Sequence, residues 1–298
     1  MFDRGGISLG MTPTCWTNDD FPMIGADISF EQCVSEIALA GFEGCSVGHK
    51  FPSDPNELRT ALELRGLRVS EPWVSTYFTV QGMRDQTVEN FRSQLEFIQA
   101  VGGTDLGTAE LGHAVHQQPI PVSANKPIFD DAQWTAMVDG LNTLGAEATA
   151  AGMRLCYHHH MGSGVQTRAE IDRLLADTDP DAVHLLVDTG HLTWAGGDPV
   201  ELVRDHFDRI KHVHLKDIRR HVLDHAVEEG LSFGAAVEAG VFTVPGDGDV
   251  DFVPILEELD RRGYTGWLVV EAEQDPANAH PLTYAKKARA YLRDVTGL

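Results

Sequence analysis

The chain has 298 residues, 42% of them hydrophobic, and a mean hydropathy of −0.18; this suits one large barrel or two modest units with an ordinary water-soluble core. Lys and Arg total 23 against 45 Asp and Glu, a net charge of −22 with the 14 His neutral, and such a surface repels nucleic-acid phosphates and anionic lipid headgroups. With no apolar run near the roughly 20 residues of a membrane span and no export signal over residues 1–10, a cytoplasmic protein acting on a small molecule is expected, with no nucleic acid and no membrane as partner.

From the N-terminus, a short β-rich run at residues 7–12 is followed by an amphipathic helix over 30–40. A strand at 42–47 leads to a helix at 56–65, one at 67–73 to a helix at 88–100, and one at 104–109 to a helix at 131–150. A strand at 153–158 leads to a helix at 168–176, and strands follow at 182–187 and 210–215. The eighth strand, 267–270, lies between helices at 254–262 and 281–295. Val, Ile and Leu fill several strands without strict alternation, as expected where both faces are covered. The junctions Ala40-Gly41-Phe42, Arg65-Gly66-Leu67, Ala151-Gly152-Met153 and Arg262-Gly263-Tyr264 repeat one pattern, a helix closed by Gly just before a strand.

Eight strands joined in this way predict one domain over 1–298, an α/β fold closing by right-handed crossovers into a single (β/α)8 TIM barrel. A doubly wound open sheet is the alternative. Residues 221–248 are too many for a simple loop after the seventh strand, and they hold a helical pattern at 231–239 before Pro245-Gly246-Asp247-Gly248-Asp249. In a barrel this elaborated loop falls on the catalytic face, as a lid or as a packed excursion. Cys15, Cys33, Cys45 and Cys156 show no paired spacing and read as reduced, buried thiols.

Chemistry-bearing residues gather at the C-terminal ends of four successive strands. The fifth ends in Tyr157-His158-His159-His160, the sixth in Asp188-Thr189-Gly190-His191, the seventh in His212-Val213-His214-Leu215-Lys216-Asp217, and the eighth in Glu271-Ala272-Glu273. Singly, each has a plainer explanation: Asp188 as a helix cap, a His as a hydrogen-bonded structural residue, the Glu pair as rim ion pairs. Together they predict a shared divalent-metal site, because a barrel gathers such strand ends around one pocket and such cations take three or four N or O ligands. Alternation puts His158 and His160 on one face with His159 on the other, and groups His212, His214 and Lys216, and Glu271 with Glu273.

At these residues the chain resembles the inosose dehydratases, within the xylose-isomerase-like barrel superfamily. The likeness runs through Cys15-Trp16-Thr17-Asn18-Asp19-Asp20, His158-His159-His160-Met161-Gly162-Ser163-Gly164, Asp188-Thr189-Gly190-His191, His212-Val213-His214-Leu215-Lys216-Asp217, Thr243-Val244-Pro245-Gly246-Asp247-Gly248 and Glu271-Ala272-Glu273-Gln274-Asp275-Pro276. The resemblance implies a manganese or cobalt ion on Asp188, His214 and Glu271, with His158 where relatives often carry Glu, and Glu110 as the residue that might otherwise supply that carboxylate. It implies a substrate rim that includes Trp16, Asn18, His49, Glu71 and Trp73. Three rim positions depart from the family pattern: Ser46 where relatives have Glu, His49 in place of Asn, and Glu71 in place of Asn.

The activity implied is dehydration of a keto-inositol such as scyllo-inosose to a trihydroxycyclohexane dione. The cation polarises the ketone, a base removes the α proton to give an enediolate, and an acid protonates the departing β-hydroxyl. His160, Lys216, Glu273 and His191 are the candidates for these proton transfers. Epimerisation or isomerisation of a ketose, and β-elimination on a keto-glycoside, use the same site and stand as alternatives. An abasic-site endonuclease is disfavoured by the charge, and a non-catalytic polyol-binding protein is the remaining class. A homo-oligomer is compatible with the resemblance.

Overall fold

A computed structural model describes Phe2 and residues 5–298. Residues 1, 3 and 4, part of the stretch read for an export signal, lie outside the described residues. The strands are β1 (Ile7–Met11), β2 (Gly44–Cys45), β3 (Arg68–Val69), β4 (Trp73–Thr76), β5 (Asp105–Glu110), β6 (Arg154–His158), β7 (Val183–Asp188), β8 (Ile210–Leu215), β9 (Asp217–Ile218), β10 (Phe242–Thr243) and β11 (Gly266–Val270). Nine of them form one parallel sheet in the order β3-β2-β1-β11-β8-β7-β6-β5-β4, and β9 pairs antiparallel with β10.

The two ends of the large sheet are consecutive in the chain. The strand expected at 67–73 is divided at Pro72, which has no N–H to offer a ladder. Val47 donates to the Glu71 carbonyl at 3.0 Å, and Gly107 donates to the Pro72 carbonyl at 3.1 Å. One segment therefore bonds the β2 side with its first half and β5 with its second, closing the curled sheet into a TIM barrel. Glu71 sits at the switch of partners.

Around the sheet lie α1 (Phe30–Ala40), α2 (Pro55–Glu63), α3 (Arg84–Val101), α4 (Val122–Asn125), α5 (Asp131–Ala150), α6 (Arg168–Asp177), α7 (Thr189–Trp194), α8 (Pro199–His206), α9 (Arg220–Glu228), α10 (Phe233–Glu238), α11 (Phe252–Arg261) and α12 (Pro281–Thr296). Their starts follow local chemistry. Asp130 with Gln133, and Thr167 with Glu170, form reciprocal capping boxes at α5 and α6. Asp54-Pro55 and Asp198-Pro199 open α2 and α8 with a carboxylate cap and a preset φ. On α1, Phe30, Cys33, Val34, Ile37 and Ala40 form the buried stripe that packs on the sheet. Gly41, Gly66, Gly152 and Gly263 all have positive φ, the left-handed backbone that their helix-to-strand junctions predict.

Helices α4, α7, α8 and α9 were not expected. α7 has six residues, too few to show a period, and α9 has no side-chain cap. All four cysteines are buried and unpaired. No helix among the described residues is long and apolar enough to cross a membrane.

The excursion after β8 is a packed unit and not an open loop. Phe233, Val237, Val241 and Phe242 are fully buried and join Trp194, Met161 and Val122 in a second hydrophobic cluster. Its base is pinned by the Asp217 carboxylate, which accepts the backbone N–H groups of Ile218, Gly246, Gly248 and Val250 at 2.8–3.2 Å. Each buried N–H left without an acceptor costs about 1–3 kcal/mol. Of the four donors only Ile218 is buried, so Asp217→Ala is expected to lower stability by about 1–3 kcal/mol and to open 217–250 to limited proteolysis; an unchanged melting temperature and digestion pattern would refute this anchoring role.

Candidate functional site

The C-terminal strand ends surround a cleft that includes Asn18, Asp19, Asp20, Ser46, Glu71, Trp73, His116, His158, His160, His214, Glu271 and Glu273 in its lining. At its floor, one donor atom each from His158, Asp188, His214 and Glu271 lies within 4.8 Å of the others. Bonds of about 2.0–2.2 Å to N and O place donors up to roughly 4.4 Å apart around one ion, so this grouping has the size of a coordination sphere. His158 Nε2 stands 3.4 Å from Asp188 Oδ2 and 4.0 Å from Glu271 Oε2. His214 Nδ1 is 3.9 Å from Asp188 Oδ2 and touches Glu271 Oε2.

The chemistry of this donor set fits a cation. His214 Nδ1 and Glu271 Oε2 are both buried without a hydrogen bond. Burial pushes the His214 ring toward the neutral form, but the Glu271 and Glu71 carboxylates override this and raise its pKa to about 10. The cluster draws positive charge.

Lys216 supplies some of that charge from behind. Its ammonium, fully buried, lies 2.9 Å from Glu273 Oε2, 3.2 Å from Glu271 Oε1, 3.4 Å from Asp188 Oδ2 and 2.8 Å from His191 Nε2. Burial disfavours the charged amine, and the three carboxylates outweigh this and hold its pKa raised. Gly190 makes the placement possible: a Cβ there would come within 2.5 Å of Lys216 Cγ. Asp188 also accepts the His191 N–H at 2.8 Å and so caps α7.

Two polar groups face the cleft beside the four donors. His160 Nδ1 is 2.8 Å from the Met161 carbonyl oxygen, which puts the proton on Nδ1 and leaves Nε2 as the acceptor nitrogen. Burial, with His116 nearby, lowers its pKa to about 3. Glu273 is desolvated, and although Lys216 pulls it down, Glu271 adds repulsion and its pKa is raised to about 7. The excursion walls this side: the Phe233 ring lies 5.3 Å from His160 and 6.0 Å from His191, and Phe242 lies 5.3 Å from His191.

The expected residues divide by place. His158, His160, Asn18, Glu71, Trp73, His214, Glu271 and Glu273 line the cleft, and Asp188 is at its floor. His159 points away, as alternation predicts, and its Nε2 accepts the Asp188 N–H at 3.2 Å. Trp73 sets its ring edge-on to His158 at 5.3 Å. Asn18 Oδ1 accepts the N–H groups of Asp20 and Phe21, while its amide nitrogen is buried without a partner.

Five of the residues singled out in the sequence lie outside the cleft lining. The Glu110 carboxylate is saturated by the Thr76 and Thr79 hydroxyls and by the N–H groups of Phe78, Thr79 and Gly112, away from the cluster. Trp16 is in the core, its indole N–H donating to Glu36 at 2.7 Å. His49 lies one step back, its Nδ1 2.6 Å from Asp19. Lys216 and His191 lie behind the lining, 2.9 Å and 3.9 Å from Glu273 Oε2. Conversely Asp20 and His116, 3.4 Å apart, were missed because they lie in loops without periodicity; the acidic pair after Asn18 was the available signal.

Residues 34–295 match the xylose isomerase-like TIM barrel family. The chain is 49% identical over 299 residues to an inosose dehydratase of Geobacillus thermodenitrificans (strain NG80-2), covering all of both proteins. It is 46% identical, again over the full length of both, to an inosose dehydratase of Bacillus cereus (strain AH820). A solved structure described as the IOLI protein with a binding zinc atom superposes with a TM-score of 0.74 at 14% identity, over 98% of this chain and 100% of that one, a likeness of fold.

Proposed function

This chain belongs to the inosose dehydratases of the xylose isomerase-like TIM barrel family, and from that premise we propose how its own residues remove water from a keto-inositol. The enzyme is a hydro-lyase, and the reading is carried by one observation: four converging donors on the cleft floor, flanked by His160 and Glu273. A divalent cation on His158, Asp188, His214 and Glu271 would supply Lewis acidity toward the substrate ketone; manganese or cobalt is the ion this reading favours.

The residues divide the proton work. His160, with its proton on Nδ1, offers Nε2 to the proton α to the ketone. Glu273, oriented by Lys216 and His191, supplies the proton with which the β-hydroxyl leaves as water. The enol that remains rearranges to the dione, so atoms balance with no other reactant. The wall of Phe233 and Phe242 keeps bulk water from this pair, which strengthens the charge interactions within. Asn18 and Trp73 hold the polyol ring, one by a free amide and the other by its aromatic surface. On this reading residues 1–298 act as one domain in cytoplasmic inositol catabolism.

Stripping divalent metal from the protein and adding scyllo-inosose, with and without manganese or cobalt, tests the reading. Turnover is expected only with metal, seen as loss of water and growth of dione ultraviolet absorbance. Exchange of the α proton without water loss would assign the chain to epimerases, and no metal-dependent change in the substrate would remove the assignment.

A further inference from the structure

Beneath the cation site a line of charged side chains crosses the barrel interior. His214 Nε2 is 3.1 Å from Glu71 Oε1, and Glu71 Oε2 is 3.2 Å from His212 Nε2. His212 Nδ1 is 3.0 Å from Asp105 Oδ2, and Arg154 holds Asp105 Oδ1 with Nε at 2.7 Å and a terminal nitrogen at 2.6 Å. Glu71, His212 and Asp105 are all at most 3% exposed. Two buried carboxylates thus alternate with two cationic partners, an arrangement that keeps the charges compensated.

We propose that Glu71 is a positioning residue that sets which nitrogen of His214 meets the cation. Glu71 is acceptor-only, so the nitrogen facing it carries a proton, and Nδ1, turned toward Asp188 and Glu271, is the nitrogen whose proton a cation would displace on binding. His212, itself held by Asp105 and Arg154, stands 3.2 Å from the other Glu71 oxygen as a charge partner, without a hydrogen bond between them. A histidine ligand oriented by a buried carboxylate is a more basic ligand, and loss of such a partner weakens metal binding by about 10–100-fold. Glu71 reaches this place because it sits where the divided third strand changes partners, one residue before Pro72. The pairing rests on the metal reading above, but its test does not need the dehydratase activity.

The wild-type protein loaded with Zn²⁺ is to be examined by ¹⁵N-edited NMR of its histidines. The His214 ring is expected to show a slowly exchanging proton on Nε2 and ligation through Nδ1; ligation through Nε2 would overturn the proposal. In parallel, Zn²⁺ and Co²⁺ titrations of Glu71→Ala and Glu71→Gln are expected to show affinity reduced about 10–100-fold in the first and less in the second. The visible spectrum of bound Co²⁺ is expected to change with the first. Wild-type affinity and an unchanged Co²⁺ spectrum in a folded Glu71→Ala would equally defeat it. A chain that binds metal as expected yet leaves scyllo-inosose untouched would fail the functional reading alone.

Discussion

Glu271→Ala and His214→Ala are each expected to reduce turnover of scyllo-inosose by at least about 10³-fold and to abolish measurable binding of Mn²⁺ or Co²⁺ at micromolar concentrations. Lewis-acid stabilisation contributes several kcal/mol to such transition states, and each 1.36 kcal/mol is a factor of about ten. Glu271 is the cleaner probe, because its Oε2 faces both His158 and His214 and has no hydrogen bond of its own. Asp188 also caps α7, so Asp188→Asn, which keeps an oxygen for the cap, separates that task from ligation. Calorimetric metal titration with far-ultraviolet circular dichroism checks this. Full affinity in folded Glu271→Ala would show that the four donors do not share an ion.

Lys216→Met is expected to destabilise the metal-free protein by about 3–5 kcal/mol, the usual cost of removing one member of a buried charge group. The ammonium lies within 3.4 Å of Asp188, Glu271 and Glu273 and is fully buried, so its loss leaves three desolvated carboxylates facing one another. A bound divalent cation restores positive charge beside Asp188 and Glu271, so the deficit is expected to shrink on metal loading. Urea unfolding with and without Mn²⁺ measures both. Equal midpoints for the variant and parent without metal would show that Lys216 is dispensable to the cluster. Gly190→Ala, which pushes a Cβ against the Lys216 stem, should move stability in the same direction.

The two predictions bear on different links of one chain of causes. The first concerns the cation and the reaction, the second the charge balance that lets four ligands be buried at all. They meet at Glu271, which faces the cation site with one oxygen and Lys216 with the other.

Much of this was legible in the order of residues because it is periodic or local. Apolar stripes, helix caps and Gly-closed junctions act over a few positions, so α1 and α5 were expected with the bounds they have. Strand alternation likewise predicted that His158 and His160 share a face that His159 does not. The six-residue α7 is too short to show a period, and α9, though amphipathic, has no side-chain cap to mark its start; both were missed.

What could not be read depended on which distant groups meet. Glu110 and Glu271 both end barrel strands, yet one is consumed by five donors, four of them from Thr76, Phe78 and Thr79 more than 30 residues away, and the other faces three buried ligands. Lys216 alternates correctly with His214 but folds back beneath Gly190, out of the cleft. Glu71, read as a rim residue, does line the cleft, and it also joins His214 to His212, Asp105 and Arg154 across the barrel. Local sequence dictates backbone conformation and facing, because those forces act between near neighbours. A buried charge is placed by partners tens of residues away, since only closure of the barrel decides which ones share its low-dielectric interior.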